Sequence, residues 1–173
     1  MKKAFSFVRV LQIGIVVKNV EVSAKRYADE YGIGPWKFYD LNSSSVSEMK
    51  IKGKPRTFAM RIALADLQGI ELELIEPKDN QSIYAQFLTE KGEGLHHLAF
   101  ATADYDQAMA YFAEKGLQVL QTGTWQNETF TYIDTRHDLS FILEIYKRVG
   151  SFESPPPIKI YPEITQTEYP TMP

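Results

Sequence analysis

The chain has 173 residues, 44% hydrophobic and 24% charged, a balance that suits one water-exposed domain or two small units sharing a core. Its net charge of −3 gives no general attraction for nucleic acid or an anionic membrane. No apolar run approaches the ~18 residues that would mark a membrane span, so neither nucleic acid nor membrane is an expected partner. The absence of cysteine excludes disulfides, thiolate metal sites and cysteine nucleophiles together, so any metal must be held by nitrogen and oxygen ligands. Arg9 interrupts the apolar stretch that follows Met1-Lys2-Lys3, so no signal peptide is expected and a cytoplasmic location is the default expectation.

Val8 to Val17 is rich in β-branched residues and reads as a strand. Ile13, Ile15 and Val17 share a packing face, whereas Gln12, Gly14 and Val16 share the other, where Gln12 is a polar group in an apolar run. Asn19 then opens a helix carrying Val20, Ala24, Tyr27 and Tyr31 on one face, and Gly32 ends it. Gly34 to Tyr39 is extended and aromatic. Residues 42–56 are polar, with Lys50, Lys52, Lys54 and Arg56 in alternation. The solvated face of a hairpin accounts for that basic row, and an anchor for an anionic substrate is the sharper alternative.

Thr57 to Leu64 is a further strand, and Asp66 to Gly69 a turn. Ile70 to Pro77 alternates strictly, with Glu71 and Glu73 on one face. A solvated polar face is a fair account of Glu71. Ser82 to Glu90 reads as a short helix, and Gly92 and Gly94 lead into a strand that opens with His96 and His97. Neighbouring strand residues point to opposite faces, so one histidine is expected in a pocket and the other in packing. The order then repeats: strand, Asp104 cap, a helix from Tyr105 to Lys115, Gly116, and strands near Val119, Glu128–Asp134 and Leu139–Tyr146.

Each half therefore reads β-α-β-β-β. The expected class is α+β, with two tandem βαβββ modules (1–80 and 81–149) forming a curved, partly open mixed sheet around a central cleft. A tail, 150–173, holds six of the nine prolines. It is expected to lack regular structure, to dock as an extended arm through Phe152, Ile158, Ile160, Tyr161 and Tyr169, and to be disordered past about residue 163.

The repeat makes Gln12 the counterpart of His97, and Glu73 the counterpart of Glu144. All four are expected to meet in the cleft. One imidazole, two carboxylates and an amide form a nitrogen and oxygen set suited to a divalent metal such as Zn, Ni, Co or Mn.

Four stretches carry a family resemblance: Leu11 to Val17, Gly69 to Pro77, Gly92 to Phe100, and Leu143-Glu144-Ile145. With them the chain resembles the vicinal oxygen chelate superfamily, which includes glyoxalase I, methylmalonyl-CoA epimerase, extradiol dioxygenases and bleomycin-resistance proteins. The second and third stretches are most similar to the epimerases. The resemblance implies Gln12, Glu73, His97 and Glu144 as metal ligands, and Gln-Glu-His-Glu is the set that eukaryotic glyoxalase I is similar to this chain in using. The chain departs from the epimerases at Gln12, where they usually have His. It also has Met60 and Arg61 in the region where they have a further carboxylate base.

The implied activity is metal-assisted proton transfer next to a carbonyl, of isomerase or lyase type, with Glu144 or Glu73 as general base. Trp36, Trp125, Tyr132 and Arg61 are the candidates to contact substrate. The implied partners are a small substrate, an acyl-CoA or other carbonyl compound, and a second copy of the chain in a homodimer. The alternative on the same scaffold is a metal-free protein that binds or sequesters a ligand. It differs from the enzyme in the metal content of the purified protein.

Overall fold

The structure, a computed structural model, describes residues 5–163. The first half runs β1 (Phe7–Val16), α1 (Val20–Tyr31), β2 (Trp36–Leu41), a β3 (Val46–Ile51) and β4 (Lys54–Pro55) hairpin, β5 (Met60–Asp66) and β6 (Glu71–Pro77). A helix α2 (Ile83–Lys91) leads to the second half. That half runs β7 (Gly94–Thr102), α3 (Tyr105–Glu114), β8 (Val119–Trp125), β9 (Glu128–Ile133), a short α4 (Arg136–Leu139) and β10 (Ile142–Arg148). A last strand, β11 (Lys159–Tyr161), follows. The fold is α+β, built from repeated βαβ-type modules, and its strands make one curved, open mixed sheet. Among the described residues no helix is long and apolar enough to cross a membrane.

The helix ends follow local chemistry. Asn19 and Asp104 are extended N-caps whose side chains accept from the backbone N–H of Val22 and Gln107. Gly32 closes α1 in the left-handed region, at φ 67°, which a glycine adopts without Cβ strain.

Sheet order is β11-β2-β5-β6-β1-β7-β10-β9-β8-β3-β4, so β1 and β7 lie side by side, antiparallel, at the centre. β2 and β3 lie near opposite ends of that order, yet only four residues, 42–45, join them. So short a link requires the sheet to curl until its two ends approach, which encloses the cleft. The β3–β4 hairpin of the first half thereby pairs with β8 of the second. Its exposed Lys50, Lys52, Lys54 and Pro55 guard a sheet edge, where charge and proline oppose strand pairing with another chain.

The register shows the duplication at residue level. In the first half Gln12 is two residues before Gly14, which pairs with Glu73. In the second, His97 is two residues before Ala99, which pairs with Glu144. Both ladders are parallel, and the halves meet through Ile13 opposite Leu98.

Three apolar clusters hold the sheet. Outside, α1 packs Val20 and Ala24 on Trp36, Phe38 and Leu74, while α3 packs Ala108 and Phe112 on Ile133, Leu143 and Ile145. Inside, Met60, Ile62, Tyr84, Phe130 and Tyr132 pack together, and all of them but Tyr84 line the cleft. A large apolar side chain taken fully out of water contributes about 1.5–3 kcal/mol, so both faces of the central strands are strongly specified.

The tail differs from expectation. Residues 159–161 form a strand against β2, with Tyr161 opposite Trp36. Lys159 pairs with Glu21, and the Tyr161 hydroxyl donates to Asp29, so the tail is fastened by backbone and side chains together. Proline-rich chain reaches this edge because only the few residues that pair need free N–H groups. The expectation of disorder past about residue 163, and Tyr169, lie outside the described residues.

Candidate active site

The cleft has a volume of about 210 Å³, with Gln12, Glu71 and Glu73 lining it from the first half and Glu128, Tyr132, Glu144 and Tyr146 from the second. Met60, Ile62, Leu64 and Phe130 give it apolar surface, and Trp125, Arg148, Phe152 and Ser154 also line it. At its base His97 is wholly buried. Its Nε2 lies 3.0 Å from Glu144 Oε2, 3.2 Å from Gln12 Oε1 and 3.5 Å from Glu73 Oε2. The four residues singled out by the repeat are thus brought together.

Local backbone geometry explains how they fit. The His97 ring lies against β1 at Gly14, where a Cβ would stand 1.9 Å from its Cε1. Only a residue without a side chain leaves that space. Beside it the β1–β7 register slips: Gly14 pairs with His97, but Ile15 pairs with Leu95, leaving His96 as an extra residue. Such a bulge breaks the alternation of side chains. Both histidines are therefore buried, with their Nδ1 atoms 3.0 Å apart. The expectation that His96 faces away from His97 is corrected by this bulge. Its ring instead packs among Tyr84, Phe87 and Tyr132.

The proton arrangement follows from the acceptors. His97 Nε2 faces only oxygens, so it donates, foremost to Glu144. Burial, and then the neighbouring His97, push His96 well below the usual histidine range, so it is neutral. His96 then donates Nδ1–H to the Nδ1 lone pair of His97, which sets the tautomer and ring position.

The carboxyl groups are held in different ways. Burial pushes Glu73 well above the usual carboxylate range, and the charges of Glu144 and Glu71 add to the effect. Its Oε2 is buried without a hydrogen bond. Glu71 accepts from Gln12 Nε2 at 2.7 Å, and burial raises it although that bond opposes the rise. Burial also raises Glu128, against the opposing hydrogen bond from Arg148. Tyr146 donates toward Gln12 Oε1 at 2.9 Å and Glu144 Oε2 at 3.0 Å. Burial, then the Glu144 charge, keep its hydroxyl protonated.

This geometry corrects the expected metal cofactor. Among the described residues no group of three or more His, Cys, Asp or Glu side chains is arranged to hold a metal ion. The donor atoms satisfy one another instead. Gln12 Oε1 meets Tyr146 and His97 while its Nε2 serves Glu71, and Glu144 takes Tyr146 and His97. Burial disfavours the charged form of Glu73, and a neutral carboxyl is a poor ligand. Gln12, His97 and Glu144 form a hydrogen-bonded cluster with the Glu73 carboxyl beside it, and the set does not fit Zn, Ni, Co or Mn.

Of the four residues expected to contact substrate, Trp125 and Tyr132 line the cleft. Trp36 is fully buried beneath α1, where its Nε1 donates to the Ile33 carbonyl and its ring meets Tyr27 edge-on. Arg61 is bonded to Asp40 at 2.6 and 2.8 Å and to Glu21 at 3.2 Å. Strand alternation is the reason. Met60 and Ile62 of β5 face the cleft, so Arg61 between them faces α1. The basic row from Lys50 to Arg56 lines no part of the cleft.

Three cleft residues were missed. Glu71 lies two residues before Glu73, and Tyr146 two residues after Glu144, so period-two reading already put both on the site face. Glu128 carried no such signal, because its position depends on the β8–β9 pairing opposite Trp125.

A family model described as the Glyoxalase/Bleomycin resistance protein/Dioxygenase superfamily matches residues 11–132. The chain belongs to this superfamily. The uncharacterised protein YqjC of Bacillus subtilis is 27% identical over 145 residues, covering 82% of this chain and 94% of that one. Among solved structures, a methylmalonyl-CoA epimerase in complex with methylmalonyl-CoA and NH4+ has a TM-score of 0.62 at 24% identity, covering 84% of this chain and 97% of its own. A Streptomyces coelicolor methylmalonyl-CoA epimerase variant in complex with 2-nitronate-propionyl-CoA reaches 0.64 at 24% identity, covering 87% and 100%. A hypothetical protein from Bacillus halodurans reaches 0.63 at 19%, covering 88% and 100%. These likenesses show that the superfamily's fold is shared.

Proposed function

We propose that the cleft catalyses isomerase- or epimerase-type proton transfer at the carbon next to a carbonyl, on an acyl thioester or another small 2-substituted carbonyl compound. The observation that carries this reading is the pair Glu73 and Glu144, 3.5 and 3.0 Å from the same His97 Nε2, with burial disfavouring the charged form of Glu73. One carboxylate and one carboxylic acid, related by the internal repeat, suit removal of a proton from one face of a carbon and delivery to the other.

Glu144 takes the proton. The C–H bond breaks and its electron pair moves into the carbonyl as an enolate. The Glu73 acid then protonates the opposite face of that carbon. Glu144 now holds a proton and Glu73 lacks one; His97 Nε2 passes its own proton to Glu73 as it takes the one from Glu144, which resets the pair. The acyl-CoA ligands bound in the neighbouring solved structures support a thioester among the candidates. A cleft of about 210 Å³ admits an acyl group and leaves a coenzyme outside.

The test is α-proton exchange in deuterated solvent, followed by NMR over a panel of 2-substituted acyl thioesters and 2-hydroxy carbonyl compounds. Exchange at the carbon next to the carbonyl, lowered about 10²–10⁴-fold by Glu144→Gln, is the expected outcome. No exchange with any member of the panel overturns the reading.

A further inference from the structure

We infer that the cleft selects a substrate bearing a protonated amine near its reacting carbon, and rejects one bearing a carboxylate there. The inference rests on the proton-transfer reading for the reacting carbon, but on the charge of the cleft for the amine.

Among the described residues, Glu71, Glu73, Glu128 and Glu144 all line the cleft, against a single basic side chain, Arg148. Arg148 is committed, because its Nε donates to Glu128 at 2.6 Å and its guanidinium lies 5.2 Å from the Phe152 ring centre. Glu73 is neutral when it carries its proton, so a carboxylate entering this space meets Glu144, Glu71 and Glu128 at close range in a partly desolvated site, with no free cation among the described lining residues to receive it. An ammonium group meets the opposite. Glu73 is only 6% exposed and its Oε2 takes no hydrogen bond, although the residue lines the cleft. In the carboxylic acid the oxygen without the proton is still an acceptor; leaving it buried without a donor is costly, and a ligand N–H removes that cost. Trp125, Tyr132 and Phe152 add aromatic surface to the cleft wall, which favours a cation over an anion.

Three small amides, identical except for the group beside the carbonyl, isolate this charge effect. Alaninamide carries an ammonium, lactamide a hydroxyl and methylmalonamic acid a carboxylate. Each keeps a C–H next to the carbonyl. Titration on the full chain is read by tryptophan fluorescence in a Trp36→Phe background, which leaves Trp125 as the only tryptophan. Below neutral pH, alaninamide is expected to bind at least about tenfold more tightly than lactamide, and methylmalonamic acid more weakly than both. Glu71→Gln keeps an acceptor for Gln12 but removes a charge, and is expected to shrink the preference for alaninamide several-fold. Alaninamide binding no tighter than lactamide, including no binding of either, overturns the inference, as does tighter binding of the carboxylate. Proton exchange on the same three compounds separates the two readings. Preferred binding of alaninamide without exchange upholds the amine preference and counts against proton transfer. Exchange on lactamide without an amine preference does the reverse.

Discussion

The His97 ring occupies the space where a side chain at residue 14 would stand, and the backbone of Gly14 serves as its seat. A Cβ at that position would lie 1.9 Å from His97 Cε1 and 2.3 Å from each ring nitrogen. Because Gly14 and His97 are opposite one another on the two central strands, this contact also joins the two halves of the chain.

Gly14→Ala is therefore expected to force the imidazole away from Glu144 and Gln12. The wholly buried ring has nowhere to go, so overpacking of about 1–3 kcal/mol is expected in chemical denaturation. Proton-exchange activity on any substrate found should fall with it. Unchanged stability together with unchanged activity would show that the ring does not sit on this glycine.

The two histidines separate by their titration. His96 is expected to stay neutral well below the ordinary value of about 6.5. Its folded pKa is lowered, so the unfolded chain binds more protons once pH drops below about 6.5, and stability falls as pH falls through that window. His96→Ala removes this dependence. It also opens a cavity among Tyr84, Phe87 and Tyr132, at about 2–4 kcal/mol. Nitrogen NMR of the ring should show a single His96 proton on Nδ1, and a protonated His96 near neutral pH would contradict the arrangement.

Glu73 acts in the opposite sense. Its folded pKa is raised well above that of the unfolded chain, so the native state binds the extra proton. That stability is present at acid pH, and is lost as pH rises from about 4.3 through the folded pKa. Glu73→Gln has no proton to lose, and is expected to be more stable than the parent at neutral and alkaline pH while losing proton-transfer activity. Thermal melts of both proteins across pH measure the difference, and parallel curves would argue against a protonated Glu73.

Arg61→Ala is expected to leave activity and ligand binding intact. Its partners Asp40 and Glu21 are about half exposed on the α1 side of the sheet. Loss of such surface ion pairs costs about 0.2–1 kcal/mol each. Tyr146→Phe, by contrast, removes the hydroxyl that bridges Gln12 and Glu144, and should lower activity with a smaller change in melting temperature. Loss of activity in Arg61→Ala would bring that residue back to the site.

Much of this architecture is carried by local pattern. Caps at Asn19 and Asp104, period-two strands and the recurrence of one element order specify two modules, because backbone propensity and apolar periodicity act within a few residues. The same recurrence pairs Gln12 with His97 and Glu73 with Glu144, since equivalent positions in a duplicated unit fall on equivalent strands. What pattern leaves open is whatever depends on register between distant strands. The bulge that turns His96 toward His97, the burial of Glu71 beside Gln12, and the arrival of Glu128 in the cleft are each decided by pairings across the sheet. So is the choice of partner for each polar atom. Residue types permit a metal site, whereas the hydrogen bonds actually formed among Gln12, Glu144, Tyr146 and His97 depend on where their atoms come to lie, to within a fraction of an ångström.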